Sequence, residues 1–361
     1  MPVQGLVRLR RHLFGRQAAF GTKVAATRAY PFRGVPTNEL NWTDPEVDMG
    51  SLDPIAAPSR GAPALSADLT DNQVAYNSIP LMMAAFFGGQ VEPTGAGTAL
   101  TWEHAPASAT VDEPDLFTYE FGDDVVTDWF QMGDGLLESV EFTVPEGLGP
   151  VTASMSWRFG STSSTGSTDS PVTGPVPTPG LVIETNPALV YGKDLGIYIA
   201  ATADELEYGA SQIVDALHTA TLRFGGDIGE KRYANGDQTF DVDAYVRETR
   251  SIELECTFAK TADTVGLLSE SDYWMSDQSV DRYVRLLFTS TAMADTTPDV
   301  PYQWDIAFPM RYYTRVEGEV GGNSVVVLTG HAWYDPTDFV GVFRSRAVTT
   351  LDSAGLGDVG S

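Results

Sequence analysis

Along most of this chain, apolar residues alternate with polar ones over short stretches, so strands dominate the expectation. In the first half an apolar-rich strand is expected from Ala25 to Phe32, and a long acidic loop follows from Gly34 to Gly61. Leu65, Ala67 and Leu69 alternate in a second strand, which leads into a helix predicted from Asp71 to Phe87. Leu116 to Phe121 reads as a strand of bulky residues. Leu137 to Val144 then alternates, with Val140, Phe142 and Val144 on the core side and Glu141 opposite. A hairpin turn is expected at Glu146-Gly147-Leu148-Gly149, where glycine supplies positive φ, with an outgoing strand to Trp157.

The second half repeats this order. A strand from Ala216 to Phe224 precedes a polar loop, Gly225 to Gln238. Phe240, Val242, Ala244 and Val246 alternate, as do Ile252 to Phe258, and a helix is predicted from Thr261 to Met275. Tyr283 to Phe288 matches Leu116 to Phe121, and a turn at Glu317-Gly318-Glu319-Val320-Gly321 leads out to Trp333. Between the halves lies a Ser/Thr/Gly/Pro-rich stretch, Gly160 to Pro179, with the composition of a linker. The expected fold is mainly β: two tandem β-sandwich or half-barrel units, each with one flanking helix, plus extended terminal arms. The expected boundaries are an N-terminal basic arm at 1–24, unit one at 25–160, the linker at 161–180, unit two at 181–338 and a C-terminal arm at 339–361. Two similar sheets can continue into each other, and then into a neighbouring copy, through their open edges.

Composition sharpens this. At 361 residues the chain exceeds one typical domain, and its 35 glycines and 22 prolines suit turn-rich β structure. The net charge of −27 disfavours tight nucleic-acid binding. Residues 1–35 oppose that trend with seven basic residues and no acidic one, so Arg8, Arg10, Arg11 and Arg16 are candidates for docking on a neighbouring copy. The single cysteine, Cys256, excludes an intrachain disulfide and reads as a buried thiol on an alternating strand. No run approaches the roughly 20 apolar residues of a membrane span, and no apolar core follows Arg8–Arg16 as in a signal peptide. Synthesis in the cytosol is expected.

Catalytic signals are sparse. The four histidines (His12, His104, His218, His331) belong to no recognised motif. Adjacent acids such as Asp123-Asp124 are expected by chance in so acidic a chain. Asp241 and Asp243 share one strand face, but the twelve-residue calcium loop is missing, and neither metal nor cofactor is expected. Glu141, Asp241 and Asp243 are candidates to line a channel whose carboxylates would repel DNA.

Several motifs resemble the two-domain major tail tube proteins of long, non-contractile-tailed viruses of bacteria or archaea. They are Phe14 to Thr27, Asn41-Trp-Thr-Asp-Pro-Glu-Val-Asp48, Phe121-Gly-Asp-Asp124, Thr127-Asp-Trp-Phe130, Trp157-Arg-Phe-Gly160, Arg232-Tyr-Ala-Asn-Gly236, Phe258 to Val265 and Tyr313 to Gly318. The resemblance implies a non-enzymatic virion protein, made in the host cytoplasm and built into the tail. Trimeric, pseudo-sixfold rings would stack into a tube that conducts viral DNA without binding it tightly. It also implies contacts with tape measure, tail terminator and tail tip proteins, and none with a membrane. The long loops would reach the adjacent ring, with Trp42, Asp44, Glu46, Asp48, Lys231, Arg232 and Tyr233 as candidate contacts. The competing readings are a monomeric carbohydrate or cell-surface binding module with Trp102, Trp129 and Trp274 as its platform, and a hydrolase using Asp123 or Asp124.

Overall fold

The computed structural model describes residues 10–26, 28–39, 42–43, 59–60, 64–88, 92–95, 97–105, 115–123, 128–160, 182–183, 186–207, 212–213, 216–231, 242, 244–247, 250–261, 264, 280–297, 299–339 and 341–352. The first half runs β1 (Arg10–Arg16), β2 (Arg28–Tyr30), β3 (Val35–Glu39), β4 (Trp42–Thr43), β5 (Ser59–Arg60), β6 (Ala64–Gln73), α1 (Ile79–Phe87), β7 (Leu100–His104), β8 (Phe117–Asp123), β9 (Asp128–Val144) and β10 (Thr152–Phe159). The second runs β11 (Val182–Ile183), β12 (Leu195–Ala200), α2 (Ala203–Glu207), β13 (Gln212–Ile213), β14 (Leu217–Gly225), β15 (Ile228–Lys231), β16 (Ala244–Arg247), β17 (Ser251–Ala259), β18 (Val280–Thr296), β19 (Asp299–Val320), β20 (Asn323–Ala332) and β21 (Arg344–Thr349).

The protein is mainly β, as the alternation predicts, and its large sheet is almost wholly antiparallel. Antiparallel pairs follow one another in the order β3, β6, β10, β9, β14, β17, β20, β19, β18, β12, β13. The halves join inside this order: Val140, Phe142 and Val144 of β9 stand opposite Phe224, Leu222 and Ala220 of β14. Two long strands change partners midway. β9 pairs with β8 through its first part and with β10 and β14 through its second. β19 pairs with β21 near Gln303–Ala307 and with β20 from Met310 onward. Asp134, at φ 55°, marks the changeover in β9, and in β19 a register shift at Tyr312/Thr314 follows soon after the pairing with β20 begins. Such irregularities bend a strand so that one sheet can turn over onto itself.

One continuous core lies inside, and both halves feed it. Phe142 meets Trp304 at 4.9 Å between ring centroids, Phe87 meets Phe224 at 5.6 Å, and Phe224 meets Phe343 at 5.1 Å. α1 is at its centre. Its sequence IPLMMAAFF is apolar on every side, and every residue in it is buried, as a helix without a polar face must be.

Four expectations are corrected here. The helix begins at Ile79 rather than Asp71, because β6 keeps its pairing with β10 through Gln73 and a 3-10 turn at Tyr76–Ser78 intervenes. Pro80 falls in the first turn, where its missing N–H costs nothing. The second hairpin turns at Gly321-Gly322, both with positive φ, beyond the Glu317-Gly318 step. The basic arm is not separate from the body: β1 pairs with β8 and β2 and buries Leu13 and Phe14. Residues 341–351 are no arm either. β21 inserts between β19 and β7, Phe343 and Leu351 are buried, and Trp102 Nε1 donates to Leu351 O at 2.8 Å. The second predicted helix falls almost entirely outside the described residues, as does the linker from 161.

Candidate assembly surfaces

Strand alternation gives the sheet two unlike faces. Along β10, β17 and the Ala220–Phe224 part of β14 every second residue is buried, and those between are mainly half-exposed or exposed serine, threonine, glutamate and arginine. On this open face the strand registers align a row: Ser154, Glu141, Arg223, Glu253, His331, Arg311 and Asp281, one from each of seven neighbouring strands. The row is largely ion-paired, although its acids outnumber its arginines three to two. Arg223 Nε donates to Glu141 Oε2 at 2.8 Å and its Nη1 to Glu253 Oε1 at 2.9 Å, with Glu255 at 3.7 Å. Arg311 grips Asp281 with two bonds, at 2.7 and 2.9 Å, and Arg158 Nε donates to Glu138 at 2.9 Å. The hydrogen bond to Glu141 is the main reason the Arg223 guanidinium holds its proton more tightly than usual. These pairs are half in water, so each is worth about 0–1 kcal/mol.

Glu141 thus stands on the open face, as its position in the alternation requires, but it is paired to Arg223, which it shares with Glu253 and Glu255. Asp241 and Asp243 lie outside the described residues. Val242 between them is buried, and its N–H donates to Gly160 O at 3.0 Å, which ties the base of the second-half loop to the first half. Phe20 and Tyr245, edge to face at 5.7 Å, add to that tie.

The sheet also has an open margin. Among the described residues β3 pairs only with β6, leaving its outer edge unpaired. Pro36 sits within it, a residue tolerated in a sheet chiefly at edges.

The remaining candidates divide. Trp42 pairs with Arg60 in the short β4–β5 ribbon, and Lys231 ends the β15–β16 ribbon, exposed and opposite Ala244. Asp44, Glu46, Asp48, Arg232, Tyr233 and Arg8 lie outside the described residues. Arg10 and Arg11 pair with Asp123 and Gly122 of β8. Arg16 is a correction: it is nearly buried, and its Nη2 donates to Asp115 Oδ1 at 2.7 Å. The end of β1 brings it beside the last turn of α1, where Asp115 N donates to Ala84 O, so this cation is committed within its own chain.

Groups that could do chemistry are engaged in structure. Buried His12 shares a 2.8 Å hydrogen bond with the Tyr119 hydroxyl through Nδ1. Buried His104 donates from Nδ1 to Gly88 O at 3.1 Å, closing the C-terminus of α1, and burial pulls its pKa down to about 4. His218 Nδ1 meets Glu146 at 3.0 Å. Burial pushes the Cys256 thiol far up, as expected of an inert core cysteine. Trp102 is fully buried and cannot belong to a binding platform; the Trp129 and Asp123 side chains, and Trp274 and Asp124 entirely, lie outside the described residues. Among the described residues no group of His, Cys, Asp and Glu could hold a metal, and no helix is long and apolar enough to cross a membrane. The row on the open face escaped sequence reading because its members come from distant strands. The outward parity of Glu141, Arg223 and Glu253 was its local sign.

No protein-family model matches this chain, and no curated protein matches it.

Proposed function

We propose that this protein is a structural, non-catalytic subunit that joins copies of itself into rings, stacked as the tail tube of a tailed virus of bacteria or archaea. The observation that carries the reading is the open face. A broad sheet, with one side sealed on the core, presents hydroxyls and arginines already paired to carboxylates on the other. A surface of this kind suits a channel wall along which DNA must slide without sticking. Arginines held by carboxylates are not free to grip a phosphate backbone, and the excess acidity repels it. Lining the lumen of a closed ring would keep that face wet, which agrees with its half-exposed polar residues.

The margin of β3, unpaired among the described residues, supports the second part of the reading, since an open edge is a ready template for a strand from a neighbouring copy. Head-to-tail pairing of this sort closes into a ring when the rotation permits. Trimers with pseudo-sixfold symmetry, inter-ring contacts through Trp42 and Lys231, and tape measure, terminator and tip proteins as partners belong to the same proposal. Negative-stain electron microscopy and native mass spectrometry of concentrated protein test it. Rings or tubes with a central channel are expected. A dispersed monomer at every concentration would overturn the reading.

A further inference from the structure

An irregular segment, residues 186–194, crosses from the second half onto the first. Backbone bonds fix it at several points: Tyr76 N to Ala188 O at 2.9 Å, Val190 N to Val74 O at 2.9 Å, Val151 N to Val190 O at 2.8 Å and Gly192 N to Gly149 O at 3.1 Å. Where it meets the end of β18 and the start of β19 it leaves a shallow depression of about 350 Å³. Asn186, Tyr191, Lys193, Asp194, Thr291 and Tyr302 contribute to its wall.

The chemistry of that wall is mixed and pre-formed. Tyr302 is backed by the fully buried Tyr76 at 5.6 Å, and its hydroxyl lies 3.3 Å from Thr350 Oγ1. The Lys193 ammonium stands 5.5 Å from the Tyr191 ring centroid, with the Asp194 carboxylate next in sequence, so the two formal charges offset each other. The side chains of Asn186, Asp194 and Thr291 make no hydrogen bond among the described residues. Two aromatic rings, an uncommitted amide, a carboxylate and a hydroxyl therefore converge in one dish with little net charge. Small-ligand sites combine apolar or aromatic walls with a few placed polar groups, in volumes from roughly 300 Å³ upward. A ligand matching this set has an apolar ring face and a rim of hydroxyls. Anionic ligands are disfavoured by the −27 charge of the chain.

We infer that the depression formed by residues 186–194 with the β18–β19 strand ends binds a neutral sugar ring. Tyr302 and Tyr191 offer their rings to the C–H face, while Asp194, Asn186 and Thr291 bond the hydroxyl rim. The site goes beyond the tube reading, and either can fail alone, because binding is read on dispersed protein.

Saturation-transfer difference NMR on the full chain tests it, with a panel of methyl glycosides of neutral hexoses and N-acetylhexosamines. At least one is expected to show transfer, strongest to its ring C–H protons, with half-saturation on the order of millimolar. Tyr302→Ala should weaken it about tenfold, the effect of removing one well-placed aromatic contact. Thr291 is exposed, so Thr291→Arg should fill the depression without disturbing the core and abolish transfer, and it decides the matter if Tyr302→Ala does not fold. Transfer that survives in Thr291→Arg, or no transfer from any glycoside up to about 50 mM, overturns the inference.

Discussion

Glu141 and Arg223 stand directly opposite one another where the two halves of the chain meet, joined by a 2.8 Å hydrogen bond from Arg223 Nε. The same guanidinium reaches Glu253 on the next strand, so one cation ties three strands drawn from both halves. Arg223→Ala should cost no more than about 1 kcal/mol in low salt, because all the partners are half in water. Part of that cost is repulsion among Glu141, Glu253 and Glu255, which salt screens. Thermal melts of wild type and variant should converge as salt rises; an equal gap at all salt concentrations would mean that the ion pairs contribute nothing.

Phe224 touches α1, β9 and Phe343 together. Phe224→Ala should lower stability by about 3–5 kcal/mol, as for other large core truncations. The halves share one core, so urea unfolding should remain a single transition followed equally by fluorescence and circular dichroism. Two separated transitions would show that the halves hold their own cores.

A chain ended after residue 342 would lose Phe343, Ala347 and Leu351 from the core and the partner of the Trp102 indole. It should be insoluble or bind hydrophobic dyes, as a protein with an opened interior does. Removing a mere surface arm would leave the melting temperature unchanged, and the two outcomes are easily told apart.

His104 makes stability fall in acid. Its folded pKa of about 4 lies below the ordinary value of 6.5, so between these pH values the unfolded chain binds the extra proton. Stability is therefore full above about pH 6.5 and declines as pH drops toward 4, by on the order of 3 kcal/mol at most from this group. His104→Gln, which keeps a donor for Gly88 O, should flatten that part of the pH profile in urea titrations. A profile as steep as wild type would place the acid sensitivity elsewhere.

Local pattern carried much of this fold. Leu65, Ala67 and Leu69 in β6 and Ile252 to Phe258 in β17 are buried at the expected parity, because alternation is the direct imprint of one face on a core. The pattern failed where partners are remote. Asp115 lies 99 residues from Arg16, so nothing near that arginine announced its burial. β21 mixes serine and alanine with valine and offers little bulk; only its place between β19 and β7 makes it a core strand. The limit of α1 was hidden for a similar reason, since Asp71 and Asn72 look like a helix start until the pairing of Asn72 and Gln73 with β10 is known. Within the candidate surface, Glu141 was legible as outward-facing, whereas its pairing with Arg223 depended on how the two halves align.

The wedge position of β21 carries a temporal consequence. The strands it separates are synthesised far apart, one near residue 100 and the other near residue 300, and both wait for a piece that leaves the ribosome after them. Until residue 351 has emerged, the interior has no lid over Trp102 and the sheet lacks its closing member. A nascent fragment therefore has no closed interior, and translation itself sets the moment at which the fold can be completed.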